Sequence, residues 1–205
     1  MTSPREHLLI AGGTLVSKDH SLEKADILVA GERIASVAPR IPARTGWKRI
    51  DASGKMVAPG FLNIHSHADF HLPIPEHTQL YERLLYQGIT TCVGGQCGFS
   101  FFPFRPEKRK ELNDYQGFLQ YRDLEPEWET CEQYFGFIEG RMLFNYAQLA
   151  GHGSLRVNAA GFAERLNPEQ LRDMGRLLEE SLDGGCFGLS TGLMYVPGTF
   201  ADTSE

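Results

Sequence analysis

The chain has 205 residues, enough for one large domain or two small ones, with 41% hydrophobic and 22% charged residues, the balance of an ordinary globular protein. A net charge of −6 and the lack of a long Lys/Arg stripe argue against nucleic acid as a partner; the short basic cluster at 105–110 reads as a solvated loop or a helix start. The apolar run at 8–11 is too short for a secretory signal and no stretch reaches membrane-spanning length, so the scattered Cys92, Cys97, Cys131 and Cys186 are expected to be reduced thiols in a cytoplasmic protein.

Residues 7–55 read as small β structure. Leu8-Leu9-Ile10 and Thr14-Leu15-Val16 flank Gly12-Gly13, a hairpin signal, and Asp26-Ile27-Leu28-Val29 and Arg33-Ile34-Ala35-Ser36-Val37 flank Gly31-Glu32, a second one. Trp47-Lys48-Arg49-Ile50-Asp51 is a further strand. Strands this short need a partner sheet to bury a core.

From Val57 strands alternate with helices. Phe61, Leu62 and Ile64, entered through Pro59-Gly60, suit a strand buried on both faces. His65 and His67 sit at its far end, and i, i+2 side chains of a strand leave the same face, so both imidazoles point into one space. Two such donors make half a metal site, against the competing reading of a surface or core pair arising by chance.

Residues 78–87 predict a helix with Leu80, Leu84 and Leu85 on one face and Gly88 as its stop. Ile89-Thr90-Thr91-Cys92-Val93 is a β-branched second strand that opens into Gly94-Gly95-Gln96-Cys97-Gly98. In the long segment that follows, 127–141 reads as a helix with Tyr134, Phe135 and Ile138 as its stripe. Residues 144–150 form a third strand leading into Gly151-His152-Gly153. Asn167-Pro168-Glu169-Gln170 has a helix cap, a first-turn proline and a capping box; Leu171, Met174, Leu177, Leu178 and Leu182 then keep the helical period up to Gly184-Gly185. Cys186-Phe187-Gly188-Leu189-Ser190 is a fourth strand, and 201–205 the entrance to another helix.

This alternation predicts an α/β fold. Four β/α units over 57–205 are half of the eight that close a barrel. An open doubly wound sheet is the alternative, but it would gather site residues at one switch point. Here they recur after successive strands, as His65 and His67, Cys97, His152 and Tyr195.

Each of these has a plainer reading. Cys97 lies among glycines that let its sulfur bend toward the histidines, or it is an inert buried thiol. His152 contacts substrate or a ligand, or is structural. Arg156 offers a fork to a substrate carboxylate or to a nearby acid. The Tyr195 phenol donates to a carbonyl oxygen as charge develops there, or packs under the Pro197-Gly198 turn. Asp69 orients a ligand imidazole or caps a loop. Cys92, Cys131 and Cys186 read as inert. His7, His20 and His77 read as loop or surface residues, and His71 lacks the strand geometry.

Several motifs together resemble the amidohydrolase superfamily and, within it, the N-acyl-D-amino-acid deacylases (D-aminoacylases). They are Asp51-Ala52-Ser53-Gly54, Val57-Ala58-Pro59-Gly60-Phe61, His65-Ser66-His67, Gly88-Ile89-Thr90-Thr91, Gln96-Cys97-Gly98-Phe99-Ser100, Gly151-His152-Gly153-Ser154-Leu155-Arg156 and the run from Phe187 through Gly188-Leu189-Ser190-Thr191-Gly192-Leu193-Met194-Tyr195 to Val196-Pro197-Gly198. The resemblance implies the N-terminal half of a (β/α)8 TIM-like metal-dependent hydrolase barrel over 57–205, preceded over 1–56 by part of a small β-sandwich that C-terminal strands complete. It also implies one or two zinc ions, with His65, His67 and Cys97 as metal ligands. Two further histidines and the catalytic Asp are expected beyond Glu205, so this segment alone is expected to be inactive. Gln96 stands where the family usually has Asn, which bears on substrate preference.

The implied activity is zinc-dependent removal of the N-acyl group from N-acyl-D-amino acids or related amides, with Tyr195, His152 and Arg156 as substrate-binding residues. The implied partner is a small-molecule substrate, with no nucleic acid and no membrane; the open edges of a half barrel also suggest a homo-oligomer. A cyclic-amide hydrolase of the dihydropyrimidinase or hydantoinase type, or a non-catalytic metal-binding scaffold of the same fold, is the alternative.

Overall fold

The computed structural model describes residues 6–16, 21–120 and 125–205 and divides into two compact units, Met1–Pro59 and Gly60–Glu205. His20 lies outside the described residues. Among the described residues, β1 (His7–Val16), β2 (Leu22–Ala30), β3 (Arg33–Ala38), β4 (Lys48–Asp51) and β5 (Met56–Val57) of the first unit form one five-stranded sheet, ordered β3-β2-β1-β4 with β5 also on β1.

The Gly31-Glu32 hairpin is present, with Ala30 opposite Arg33. The Gly12-Gly13 hairpin is not. β1 runs through both glycines against β2 and bulges between Ile10 and Gly13. Gly12 adopts φ +74 there, and its N–H donates to Asp26 Oδ1 at 2.7 Å. Asp26 Oδ2 accepts from the Ile41 N–H at 2.8 Å. A carboxylate thus replaces the ladder acceptor lost at the bulge, and the strand continues instead of turning. The Ile41 and Gly12 N–H groups hold the Asp26 carboxyl below its usual range. An apolar groove lined by Ile10, Ile27, Ile34 and Val57 opens on this sheet.

The second unit mixes parallel strands with helices. β6 (Phe61–Asn63), β7 (Ile89–Gly94) and β8 (Asn145–Gln148) pair in parallel in that order, and β9 (Ala150–Gly151) pairs in parallel with β10 (Leu189–Ser190). The helices are α1 (Thr78–Tyr86), α2 (Arg109–Gln116), α3 (Cys131–Ile138), α4 (His152–Ala160) and α5 (Pro168–Asp183). The predicted third strand breaks at Leu149, because β8 pairs with β7 while β9 pairs with β10.

Two expectations need correction. The Phe61 strand is not buried on both faces: Phe61, Leu62 and Ile64 are 64%, 63% and 71% exposed, since β6 is an edge strand with β7 on one side only. In α1 Tyr81 is buried and Leu84 packs partly against the core, while Leu80 and Leu85 face solvent. Residues 201–205 make a turn, with the Asp202 carboxylate accepting from the Ser204 N–H at 2.8 Å.

α5 matches its signature. Asn167 accepts from the N–H groups of Glu169 and Gln170, and the Gln170 side chain closes the box. α3 is shorter than predicted because its box starts at Thr130, with Gln133 completing it. The basic cluster supplies ion pairs: Arg105 grips Asp173 with two bonds of 2.6 and 2.8 Å, Arg109 meets Glu125 and Lys110 meets Asp114.

The segment Phe99-Ser100-Phe101-Phe102-Pro103-Phe104 is irregular and buried. Side chains satisfy its backbone: Trp128 donates to the Phe101 carbonyl at 2.7 Å, Asn158 to the Pro103 carbonyl at 2.9 Å, and Ser154 Oγ accepts from the Ser100 N–H at 2.9 Å. With that cost met, a run carrying four phenylalanines can form core without strand or helix.

Candidate metal centre

Two segments bring the metal-type side chains together. Beyond β6, Asn63 Oδ1 accepts from the His65 N–H at 3.2 Å, and the Ser66 N–H reaches the Val93 carbonyl of β7 at 3.0 Å. His65 and His67 are thereby held beside the end of β7, with ring centroids 5.9 Å apart. The second segment is the loop after β7. Cys97 has φ +58, the one positive φ outside glycine among the described residues, in a region that costs an L-residue roughly 1–2 kcal/mol.

Three bonds hold that conformation. The Phe99 N–H donates to the Gln96 carbonyl at 2.9 Å, the Gly98 N–H to Ser190 Oγ at 3.1 Å, and the Gln96 amide to the Ile64 carbonyl at 2.9 Å. The Gln96 side chain therefore ties the cysteine loop to the histidine segment.

Cys97 Sγ lies 3.3 Å from His65 Nε2. The ligand atoms of His65, His67 and Cys97 all fall within 4.8 Å of one another. Zinc bonds of about 2.3 Å to sulfur and about 2.0 Å to nitrogen put S and N roughly 3.5 Å apart at a tetrahedral angle, so this borderline-soft N/N/S set fits zinc in both chemistry and spacing. Burial, with His65 as a second influence, lowers the His67 pKa and favours the neutral imidazole that a metal requires.

Asp69, two residues past His67, is fully buried. Burial pushes its pKa up to about 7, opposed by the Gly95 N–H and the Gln148 amide. His71 and His77 pair through their Nδ1 atoms at 3.2 Å. His77 is buried rather than on the surface, and His7 stacks on Trp47.

The three residues read as substrate contacts fare differently. His152 opens α4 instead of ending a strand, and its Nε2 lies 3.1 Å from Glu205 Oε1. Arg156 has no exposed surface. Its Nε donates to Glu205 Oε1 at 2.7 Å, and its guanidinium nitrogens to the carbonyls of Ala163 at 2.7 Å and Glu164 at 3.1 Å. A guanidinium so buried presents no fork to solvent, and the acid it pairs with is Glu205. Tyr195 packs edge-on against Phe99 at 4.9 Å, and Phe99 in turn lies 6.2 Å from the His67 ring. Cys131 and Cys186 lie with their sulfurs 3.4 Å apart in the core.

The sequence model of the amidohydrolase family matches residues 48–202. The chain belongs to that family. Among curated proteins this amidohydrolase is similar to N-acyl-D-glutamate deacylase of Alcaligenes xylosoxydans xylosoxydans, at 35% identity over 201 residues that cover 97% of the chain and 39% of the relative. It is 33% identical to D-aminoacylase of the same organism, over 97% of the chain and 40% of the relative. Among solved structures it superposes on N-acyl-D-glutamate deacylase from Bordetella bronchiseptica, complexed with zinc and a phosphonate inhibitor, with TM-score 0.81 and 29% identity over 98% of the chain and 41% of that structure. The amidohydrolase chain thus spans about two fifths of the length of these relatives.

Sequence reading of this amidohydrolase missed the parts that seat the cysteine loop. Ser190 Oγ accepts from the Gly98 N–H and donates to the Gly95 carbonyl. Phe99 bridges the His67 and Tyr195 rings. Tyr146 and Gln148 underlie Gly94 and Gly95. Only Ser190 and Phe99 had a signal, as members of family-like motifs; nothing local marks Tyr146 or Gln148.

Proposed function

We propose that the chain is the N-terminal portion of a cytoplasmic, zinc-dependent N-acyl-D-amino-acid deacylase, a hydrolase of carbon–nitrogen bonds other than peptide bonds. The convergence of His65, His67 and Cys97 carries this reading, in a chain whose relatives of similar sequence are deacylases. His65, His67 and Cys97 hold the metal. When bound, zinc activates water and polarises the scissile carbonyl. Tyr195, on the Phe99 side of the site, donates its phenol O–H to the carbonyl oxygen as negative charge grows there. Phe99 and Tyr115, stacked at 4.6 Å, keep that side apolar. General acid and base work falls to an aspartate outside these residues. His152 and Arg156 serve the fold through Glu205.

In this reading, residues 57–205 are the first four β/α units of a (β/α)8 barrel and 1–56 are part of a β-sandwich. Exposed apolar residues along β6 and around β10, including Phe187 at 79% and Met194 at 82%, support it, as does the open groove on the first sheet. Further strands of the same protein would cover such surfaces.

The test compares the complete reading frame with the 205-residue segment, each supplied with zinc. N-Acetyl-D-amino acids are assayed beside dihydropyrimidines and hydantoins. The complete protein is expected to release acetate from N-acetyl-D-amino acids, and the segment alone to show no enzyme-like turnover. Turnover confined to cyclic amides, or full activity in the segment, overturns the proposal.

A further inference from the structure

The Cys97 loop rests on a buried polar network that the proposed chemistry does not use. Gln148 donates to Asp69 Oδ2 at 3.5 Å, the Tyr146 hydroxyl donates to Gln148 Oε1, and Tyr134 donates to the Asp69 carbonyl at 2.9 Å. The network joins the segment after the histidines, α3 and β8 in the core. Asp69 and Tyr134 have no exposed surface, nor has Gln148.

Two features link this network to the metal donors. Gln148, whose side-chain amide meets Asp69 Oδ2, also donates to the Leu149 carbonyl beside Gly95. Gly94 and Gly95 lie directly on the network: a methyl carbon added at Gly94 would fall inside the Tyr146 hydroxyl, and one at Gly95 inside the Leu149 carbonyl and the Gln148 amide. The loop can approach this closely only without side chains. Asp69 stands four residues from His65 and meets Gln148, which lies under the loop that carries Cys97, so one carboxylate is tied to both halves of the donor set.

We propose that Asp69 is a positioning residue for the metal centre: its buried carboxylate orients Gln148 beneath the Cys97 loop and so sets the meeting of sulfur and imidazole. The inference rests on the metal reading above. Asp69 touches neither metal nor substrate in it. Its contact with Gln148 supports the loop on which the sulfur stands, and loosening such supporting contacts lowers metal affinity by about 10–100-fold.

The complete protein, stripped of metal and titrated with cobalt(II), tests this. Cobalt affinity and the near-ultraviolet thiolate-to-cobalt absorption are read, with circular dichroism as the measure of fold. Asp69→Asn keeps the shape and replaces one acceptor oxygen by a donor. It is expected to bind cobalt at least tenfold more weakly and to lose most of the thiolate absorption while the dichroism stays. Leu112→Ala, a core change outside the network, is expected to lower the melting temperature and leave both cobalt readouts intact. If Asp69→Asn does not fold, Tyr146→Phe, which removes the hydroxyl bonded to Gln148, is expected to weaken cobalt binding in the same direction by a few-fold. Wild-type affinity and absorption in Asp69→Asn, or in Tyr146→Phe when it stands in, overturn the positioning role. Absence of thiolate absorption in the unsubstituted protein would instead overturn the metal centre, and this role with it.

Discussion

Arg156→Met is expected to lower the thermal midpoint by roughly 10 °C, measured by calorimetry or by dichroism. The guanidinium is wholly buried, and its three nitrogens donate to Glu205 and to the carbonyls of Ala163 and Glu164. Methionine fills similar volume but leaves the Glu205 carboxylate and two carbonyls without those donors. Removing one partner of a buried charge pair costs about 3–5 kcal/mol, and 1 kcal/mol moves the midpoint of a chain this size by about 2–4 °C. Arg156→Lys, which restores charge but not the fork, should fall between the two. A substrate-binding arginine would behave oppositely, with an unchanged midpoint and a raised KM. A midpoint shift under 2 °C would contradict the structural assignment.

Gly95→Ala should abolish tight metal binding while most of the fold survives. Gly95 has φ +72 and sits against the Leu149 carbonyl, a backbone group that cannot swing aside. The left-handed conformation alone costs alanine about 1 kcal/mol. The larger effect is geometric: the loop must lift, and Cys97 is two residues further on. Zinc retention in the presence of a competing chelator is expected to fall at least tenfold. Gly140→Ala makes the comparison clean, because Gly140 has φ +73 with nothing within 4 Å of the added carbon. It should carry the backbone strain and keep the metal. Equal zinc retention in the two variants would show that the loop does not depend on this close approach.

What could be read from the sequence follows from how local each signal is. The Asn167 box and the Gly31-Glu32 hairpin are set by neighbours within a few residues, and both appear as read. His65 and His67 come together on irregular chain beyond the end of β6 at Asn63, not on a shared strand face. Gly12-Gly13 misled because the acceptor that turns a hairpin signal into a bulge, Asp26, lies fourteen residues away. α4 left no trace because it is buried from His152 through Asn158 and its polar residues, His152, Ser154, Arg156 and Asn158, alternate with the others instead of leaving a helical stripe. Arg156 looked like a substrate fork because its partner, Glu205, is distant in sequence. The donor trio was visible, and the support beneath it was not: Asp69, Tyr146 and Gln148 come from separate segments and meet only in the folded core.

The central claim is that two imidazole nitrogens and the Cys97 sulfur share one metal ion. Zinc-edge X-ray absorption of the complete, zinc-loaded protein measures this directly. The expected spectrum has a sulfur shell at about 2.3 Å beside nitrogen scatterers at about 2.0 Å, with the sulfur shell lost in Cys97→Ala. A first shell of nitrogen and oxygen alone in the unsubstituted protein would contradict it.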